Sequence, residues 1–309
     1  MRKTCLNEVY KLAQQDERVV FIGSDIGQGT LDNFKTEYPE RFFMEGVSEA
    51  HLIGMMTGLA MCGKIPYMNT IATFITRRCY EQVLLDAGLH NQPIRIIGSG
   101  GGCVYAPLGP THLAVEDIAI MRVIPNMTIF APSDAEEMKK LMPATLDYDR
   151  PIYIRLAKGG DTVISRSSDS FEIGEPIYYK QGSDILFIGT GITSNIALEA
   201  AAILDEAGIS AGVLHLHTLK PINQASLLKT MSQYKAIVTL EEHSIIGGLG
   251  AIISEIIAEN ISIQPMKLAK LALPDQFQEE YGSQNTTMDA AGISVANAVA
   301  QAKIIMSNG

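Results

Sequence analysis

Glu49 stands in the segment Phe43-Met44-Glu45-Gly46-Val47-Ser48-Glu49-Ala50-His51-Leu52-Ile53-Gly54, which opens a helix patterned with Gly54, Gly58, Ala60 and Gly63. A carboxylate at a helix start, beside small residues, lets a flat ligand or a second backbone approach closely. Its plain role is a favourable interaction with the helix dipole, about 0.3–1 kcal/mol. Downstream, Phe74 in Thr73-Phe74-Ile75-Thr76-Arg77-Arg78-Cys79-Tyr80-Glu81-Gln82-Val83 puts an aromatic face just ahead of two arginines. Adjacent helical residues diverge by about 100°, so Arg77 and Arg78 cannot share one role. His112 lies in Gly109-Pro110-Thr111-His112-Leu113-Ala114-Val115-Glu116-Asp117, and an imidazole can donate or accept near neutral pH. Asp25 follows a strand in Gly23-Ser24-Asp25-Ile26, and Arg155 ends one in Tyr153-Ile154-Arg155-Leu156. Read plainly, they are a turn carboxylate and a surface arginine. His215 and His217 share a strand face but make a poor metal site without a third ligand. Gly189-Thr190-Gly191 lacks the third glycine of a dinucleotide loop and reads as a tight turn.

These side chains need a scaffold. The 309 residues suit two compact α/β domains better than one. Hydrophobic residues make up 47% and charged ones 19%, with no Trp, which predicts an aliphatic core of parallel strands covered by helices. Surplus apolar surface suits a subunit interface. The net charge of −10 argues against nucleic acid or an anionic membrane as partner, and leaves any anionic substrate to local arginines. Cys5, Cys62, Cys79 and Cys103 show no CxxC spacing and read as free thiols of a reducing compartment. No apolar run reaches the roughly 20 residues that span a bilayer. The start, Met1-Arg2-Lys3-Thr4, lacks a signal-peptide core. A soluble cytoplasmic protein is expected.

Apolar periodicity predicts helices over about 4–15, from Ala50, over 75–89 and 115–122, and from a capping box at Ser133-Asp134-Ala135-Glu136 to about Asp147. Short apolar runs predict strands at 19–23, 65–67, 94–97, 127–130 and 152–155. The polar stretch 158–183 reads as a linker with room for a short hairpin. A second unit repeats the alternation, with strands at 185–188, 211–216 and 236–240. Its helices are expected at 195–207, from Gly247-Gly248-Leu249-Gly250, and at 294–306. Such alternation implies mostly parallel sheets.

The string Gly109-Pro110-Thr111-His112, followed by Glu116-Asp117, resembles the transketolase signature nearly letter for letter. The segments around Glu49 and Phe74 resemble the pyrimidine-binding domain of transketolases and deoxyxylulose-phosphate synthases. The resemblance runs through most of the chain. It implies two consecutive α/β domains: a pyrimidine-binding domain over 1–157, a linker over 158–183, and a transketolase C-terminal domain over 184–309. The last includes Thr239-Leu240-Glu241-Glu242-His243 and would serve mainly the dimer. The implied cofactor is thiamin diphosphate. Glu49 would share a proton with its pyrimidine nitrogen, so that the ring's amino group can deprotonate the thiazolium carbon. Such acid–base work contributes about 10²–10⁴-fold in rate and favours a shielded carboxyl group. Phe74 would stack on the aminopyrimidine, and Asp25 and Ile26 would touch the cofactor. His112 would hydrogen-bond substrate oxygens at the reacting carbonyl. Arg77, Leu108 and Arg155 would line the substrate, the arginines meeting phosphate. Arg78 is left as a structural salt-bridge former.

Family members grip the diphosphate through Mg²⁺ with a Gly-Asp-Gly segment, and no Gly-Asp-Gly occurs in this sequence. Magnesium takes oxygen ligands in near-octahedral array, so its ligands are expected on a partner, an N-terminal transketolase subunit, in an α₂β₂ heterotetramer in which this chain also self-associates. The expected reaction, part of carbohydrate metabolism, moves a two-carbon ketol unit from a ketose to an aldehyde through a thiamin-bound carbanion. Two departures bear on the substrate. Leucine stands at 108 where an aspartate is expected, and Gly100 falls where a phosphate-contacting histidine is expected. Together they point to a longer channel and a larger, deoxygenated or modified aldehyde. The alternatives are an acetyl-transferring synthase of the deoxyxylulose-phosphate type, a keto-acid dehydrogenase β subunit, and a catalytically silent structural partner.

Overall fold

The computed structural model describes residues 1–24, 26, 29–260, 266–279 and 281–307. Six short apolar segments build its first sheet: β1 (Val19–Gly23), β2 (Phe42–Met44), β3 (Ile65–Ile71), β4 (Arg95–Ser99), β5 (Thr128–Phe130) and β6 (Ile152–Leu156). They run parallel in the order β5-β6-β4-β3-β1-β2. Every residue of β1, β4, β5 and β6 is buried, as expected where helices cover both faces. The helices Arg2–Gln15 and Ala135–Ala144 pack over one face; Glu49–Met61, Val83–Leu89 and Asp117–Arg122 pack over the other. From β1 the chain pairs β2 on one side, then crosses to β3 on the other. The loops after these strands therefore diverge and leave a crevice at the carboxyl ends, where open α/β sheets bind ligands.

The second sheet contains β7 (Ile177–Lys180), β8 (Ile185–Gly189), β9 (Ala211–His215), β11 (Ala236–Ser244) and β12 (Lys267–Leu273) in the order β12-β11-β8-β9-β7. Its strands are parallel except β7, which runs antiparallel to β9. Between β9 and β11 the chain donates β10 (Thr218–Lys220) to the first sheet, antiparallel to β5. The two units are thus joined by an exchanged strand as well as by the connecting segment.

Several expectations change. The stretch read as a linker contains β7, so the second sheet begins earlier than the polar composition suggested. The predicted helix over 75–89 is three pieces: Ala72–Thr76, Tyr80–Gln82 and a π-helical turn, Val83–Leu89. Gly88 presses against the loop after Arg122 there; a Cβ on it would lie 2.5 Å from Ile124 Cγ2. Asp134, not Ser133, caps the helix Ala135–Ala144, accepting from the Glu136 and Glu137 amides. By length and composition the segment Gln284–Ser307 could cross a membrane. It is two helices, Gln284–Ala290 and Val295–Ser307, separated by a turn with Gly292 at φ +74°, and the second buries Ala298 and Ala302 in the second domain. All four cysteines are free thiols; Cys62 is exposed and the others are buried.

Candidate active site

The loops at the carboxyl ends of the first sheet converge. After β2 the backbone turns at Gly46 (φ +74°), Ser48 takes the N-cap, and Glu49 opens the helix Glu49–Met61. Glu49 is 2% exposed. Its Oε2 accepts from Arg78 Nη1 at 3.1 Å, while Oε1 is buried with no donor among the described residues. Leaving an acceptor unmet in the interior costs about 1–3 kcal/mol, so Oε1 is a ready place for a ligand's N–H.

The turn from β3 delivers Phe74 into the same space. The Arg78 guanidinium lies over its ring, 4.1 Å from the centroid. The His112 ring meets Phe74 edge-on at 5.2 Å and 64°. His112 Nδ1 is 2.9 Å from Thr111 Oγ1, and the Thr111 carbonyl accepts from Arg77 Nη2 at 3.0 Å. Arg77 Nε lies 3.0 Å from Glu116, whose carboxyl is raised by burial against the pull of Arg77. Glu49, Phe74, Arg77 and His112 therefore form one constellation. Arg78, read from sequence as a structural ion-pair former, belongs to it: its partner is Glu49 itself. Spacing alone gave no signal of that pairing, because it depends on where two separate loops meet.

Other expectations move. Arg155 is 7% exposed and turned inward. Its Nε donates to Asp117 at 2.8 Å and its Nη2 to the Ala114 and Glu242 carbonyls at 3.2 and 2.7 Å. Burial opposes its charge, but Asp117 and Glu242 overcome that and hold it above the usual arginine range. A substrate phosphate would have to compete with these partners. Ile26 is half-buried in the loop after β1. Asp25 lies outside the described residues.

The glycines at the end of β4 and just after it each sit close against a neighbouring side chain, and Gly100 also lines a pocket. A Cβ on Gly98 would meet the Tyr153 ring at 2.7 Å, on Gly100 the Tyr105 ring at 2.1 Å, on Gly101 Arg155 at 2.5 Å, and on Gly102 Glu242 at 2.4 Å. Each glycine makes room for a particular neighbouring side chain, and the bulk missing at Gly100 is supplied by Tyr105. Leu108 is 50% exposed. With Tyr105, Arg2 and Lys158 it lines a pocket of about 270 Å³. Both cations are exposed. They were not identified from sequence, where Lys158 reads as the start of a linker.

The Glu49 edge and Phe74 face fit a flat heteroaromatic ring bearing a hydrogen on nitrogen. Among the described residues, no group of three or more His, Cys, Asp or Glu side chains is arranged to hold a metal ion. A buried carboxylate, an aromatic face and an imidazole thus gather at the strand ends of a parallel sheet. The chain belongs to the transketolase family: residues 1–160 match the description "Transketolase, pyrimidine binding domain" and residues 174–297 match "Transketolase, C-terminal domain". It is 35% identical over 280 residues to a 6-deoxy-6-sulfo-D-fructose transketolase subunit of Clostridium sp. strain MSTE9, covering 90% of this chain and 86% of the relative. It is 34% identical over 277 residues to an apulose-4-phosphate transketolase subunit of Phocaeicola vulgatus, covering 89% and 88%. A solved split-gene transketolase, described as an inactive beta4 tetramer, superposes with a TM-score of 0.91 at 31% identity, covering 99% of this chain and 98% of that one. A 1-deoxy-D-xylulose-5-phosphate synthase of Halothermothrix orenii is 34% identical, but only 42% of its length is covered.

Proposed function

We propose that this chain is the C-terminal subunit of a two-subunit transketolase that moves a two-carbon ketol unit between a ketose and an aldehyde bearing a terminal anion. The observation that carries this reading is the buried Glu49 carboxylate joined through Arg78 to the Phe74 ring, with His112 5.2 Å from that ring. Thiamin diphosphate, when bound, would supply a nucleophilic carbon for cleaving the ketose beside its carbonyl. Glu49 holds and exchanges the proton at the pyrimidine nitrogen, Phe74 supports the ring, and His112 hydrogen-bonds substrate oxygens at the reacting carbonyl. Arg78 lies over the Phe74 ring and holds Oε2 of Glu49, which leaves Oε1 for the ligand.

The diphosphate and its Mg²⁺ would be held by a partner subunit, since no Gly-Asp-Gly segment occurs in the 309 residues. Two relatives of matching length are named as transketolase subunits, which supports the split arrangement. Their names also specify a sulfonate and a phosphate sugar. Arg77, Arg2 and Lys158 are exposed cations on this side of the chain, suited to such an end group. Leu108 replaces an acceptor of hydrogen bonds with apolar surface, which disfavours a hydroxyl there by roughly 1–3 kcal/mol. The preferred aldehyde therefore lacks, or has modified, the hydroxyl beside its carbonyl.

Activity assays on the pure chain, and on the chain mixed with a diphosphate-domain subunit, test the reading. The chain alone should be inactive and the mixture should transfer ketol. Robust turnover by the chain alone would sink it.

A further inference from the structure

The loop carrying Leu108 and His112 belongs to the first domain, yet its root is held from the second. Gly102 and Ala114 are its two ends, cross-bridged by backbone hydrogen bonds of 2.8 and 3.1 Å. Glu242, near the end of β11, is 3% exposed. Its Oε1 accepts from the Cys103 amide at 2.6 Å, and its two oxygens lie 2.9 and 3.1 Å from Gln284 Nε2. Its backbone carbonyl accepts from Arg155 Nη2, which also donates to the Ala114 carbonyl. Glu242 thus reaches one end of the loop directly and the other through Arg155. Glycine at 102 permits the approach, since a Cβ there would lie 2.4 Å from the Glu242 Cδ. Cys103, Ala106 and Leu113 pack on Leu273, Met288 and Ile293 of the second domain, and the Tyr281 ring lies over Gly109.

We infer that Glu242 is a positioning residue for ketol transfer, fixing from the second domain the loop that presents His112 to substrate. The inference rests on the proposed function. A hydrogen bond from a buried amide to a buried carboxyl oxygen restrains the loop root, because either group left unmet in the interior is costly. Removing that acceptor strands the Cys103 amide, which can recover a partner only if the loop root shifts. Glu49 is on a different loop and does not touch Glu242, so cofactor activation and substrate handling should separate.

The test uses the enzyme assembled with its partner subunit, as wild type, Glu242→Ala and Glu242→Gln. Deuterium exchange at the thiazolium carbon reports on Glu49, and ketol transfer reports on the whole site. For Glu242→Ala we expect exchange within about twofold of wild type and a transfer kcat lower by about tenfold or more. Glu242→Gln should recover most of the transfer, because its amide oxygen still accepts from Cys103. On the chain alone, backbone amides 103–113 should exchange faster in Glu242→Ala while those of the helix Glu49–Met61 do not. Unchanged transfer in Glu242→Ala, or equal loss of exchange and transfer in both variants, overturns the inference. Absence of both activities in the wild-type assembly overturns the proposed function instead, a separate failure.

Discussion

At the residue scale, Glu49 has one oxygen engaged by Arg78 and the other buried without a donor among the described residues. A carboxylate that served only the helix dipole would gain by facing water, so this burial favours a ligand role. Glu49→Gln keeps the shape and one acceptor but cannot exchange a proton. We expect cofactor deuterium exchange in the assembled enzyme to fall by at least about 10²-fold, the lower end for acid–base groups. Near-normal exchange would refute the role. Neighbouring Cys79 is not a competing nucleophile: burial, reinforced by the Glu49 charge, pushes its thiol up to about 12.

At the element scale, Asp134 does more than cap one helix. Its Oδ1 accepts from the Glu136 and Glu137 amides and its Oδ2 from the Ile164 and Ser165 amides, so it ties the helix to the segment leading into β7. Burial works to raise its pKa, and the Glu137, Ser165 and Ile164 amides with the Ser165 side chain prevail and lower it. A carboxyl depressed in the folded state contributes stability above its unfolded pKa, lost as pH falls through the folded value. Asp134→Ala should destabilise the chain by about 2 kcal/mol, the upper end for a lost cap, because a second pair of amides is also stranded. Urea unfolding at neutral pH measures this, and the deficit should shrink in acid. A loss that is small and independent of pH would contradict the assignment.

At the scale of the whole molecule, the two domains meet through buried ionisable groups. Glu137 of the first domain faces His215 of the second at 3.0 Å, and Ser194 Oγ lies 2.6 Å from the other ring nitrogen. Burial pushes Glu241 up to about 7 against the Gly250 and Leu249 amides, and Glu242 likewise to about 7 against Arg155. Burial lowers His217 and His243 to about 4. From roughly pH 4.5 to 7 the folded carboxyls keep protons that the unfolded chain releases, so their contribution falls as pH rises. From roughly pH 4 to 6.5 the unfolded histidines take up protons that the folded ones refuse, so theirs rises. The two trends oppose, and stability should be nearly flat over their overlap. Glu241→Gln removes one carboxyl contribution, so its stability should fall more steeply on acidification than that of wild type. Urea midpoints measured between pH 4.5 and 7 check this; identical slopes would show that Glu241 does not titrate differently on folding.

The sequence by itself determined the class of the molecule and singled out Glu49, Phe74 and His112, which the fold brings together. Apolar runs closed by glycine predicted the parallel strands, and the strings around Glu49, Phe74 and His112 are local enough to be legible in one dimension. Tertiary structure decided what those residues meet. Arg78 pairs with Glu49, Arg155 turns inward to Asp117, and Tyr105 fills the space at Gly100. β10 crosses into the other domain's sheet, and Glu242 reaches the root of the His112 loop. Each of these joins residues far apart in sequence. The partner of a buried charge is set by which loops converge at the strand ends, and that follows from strand order and close packing rather than from any local pattern.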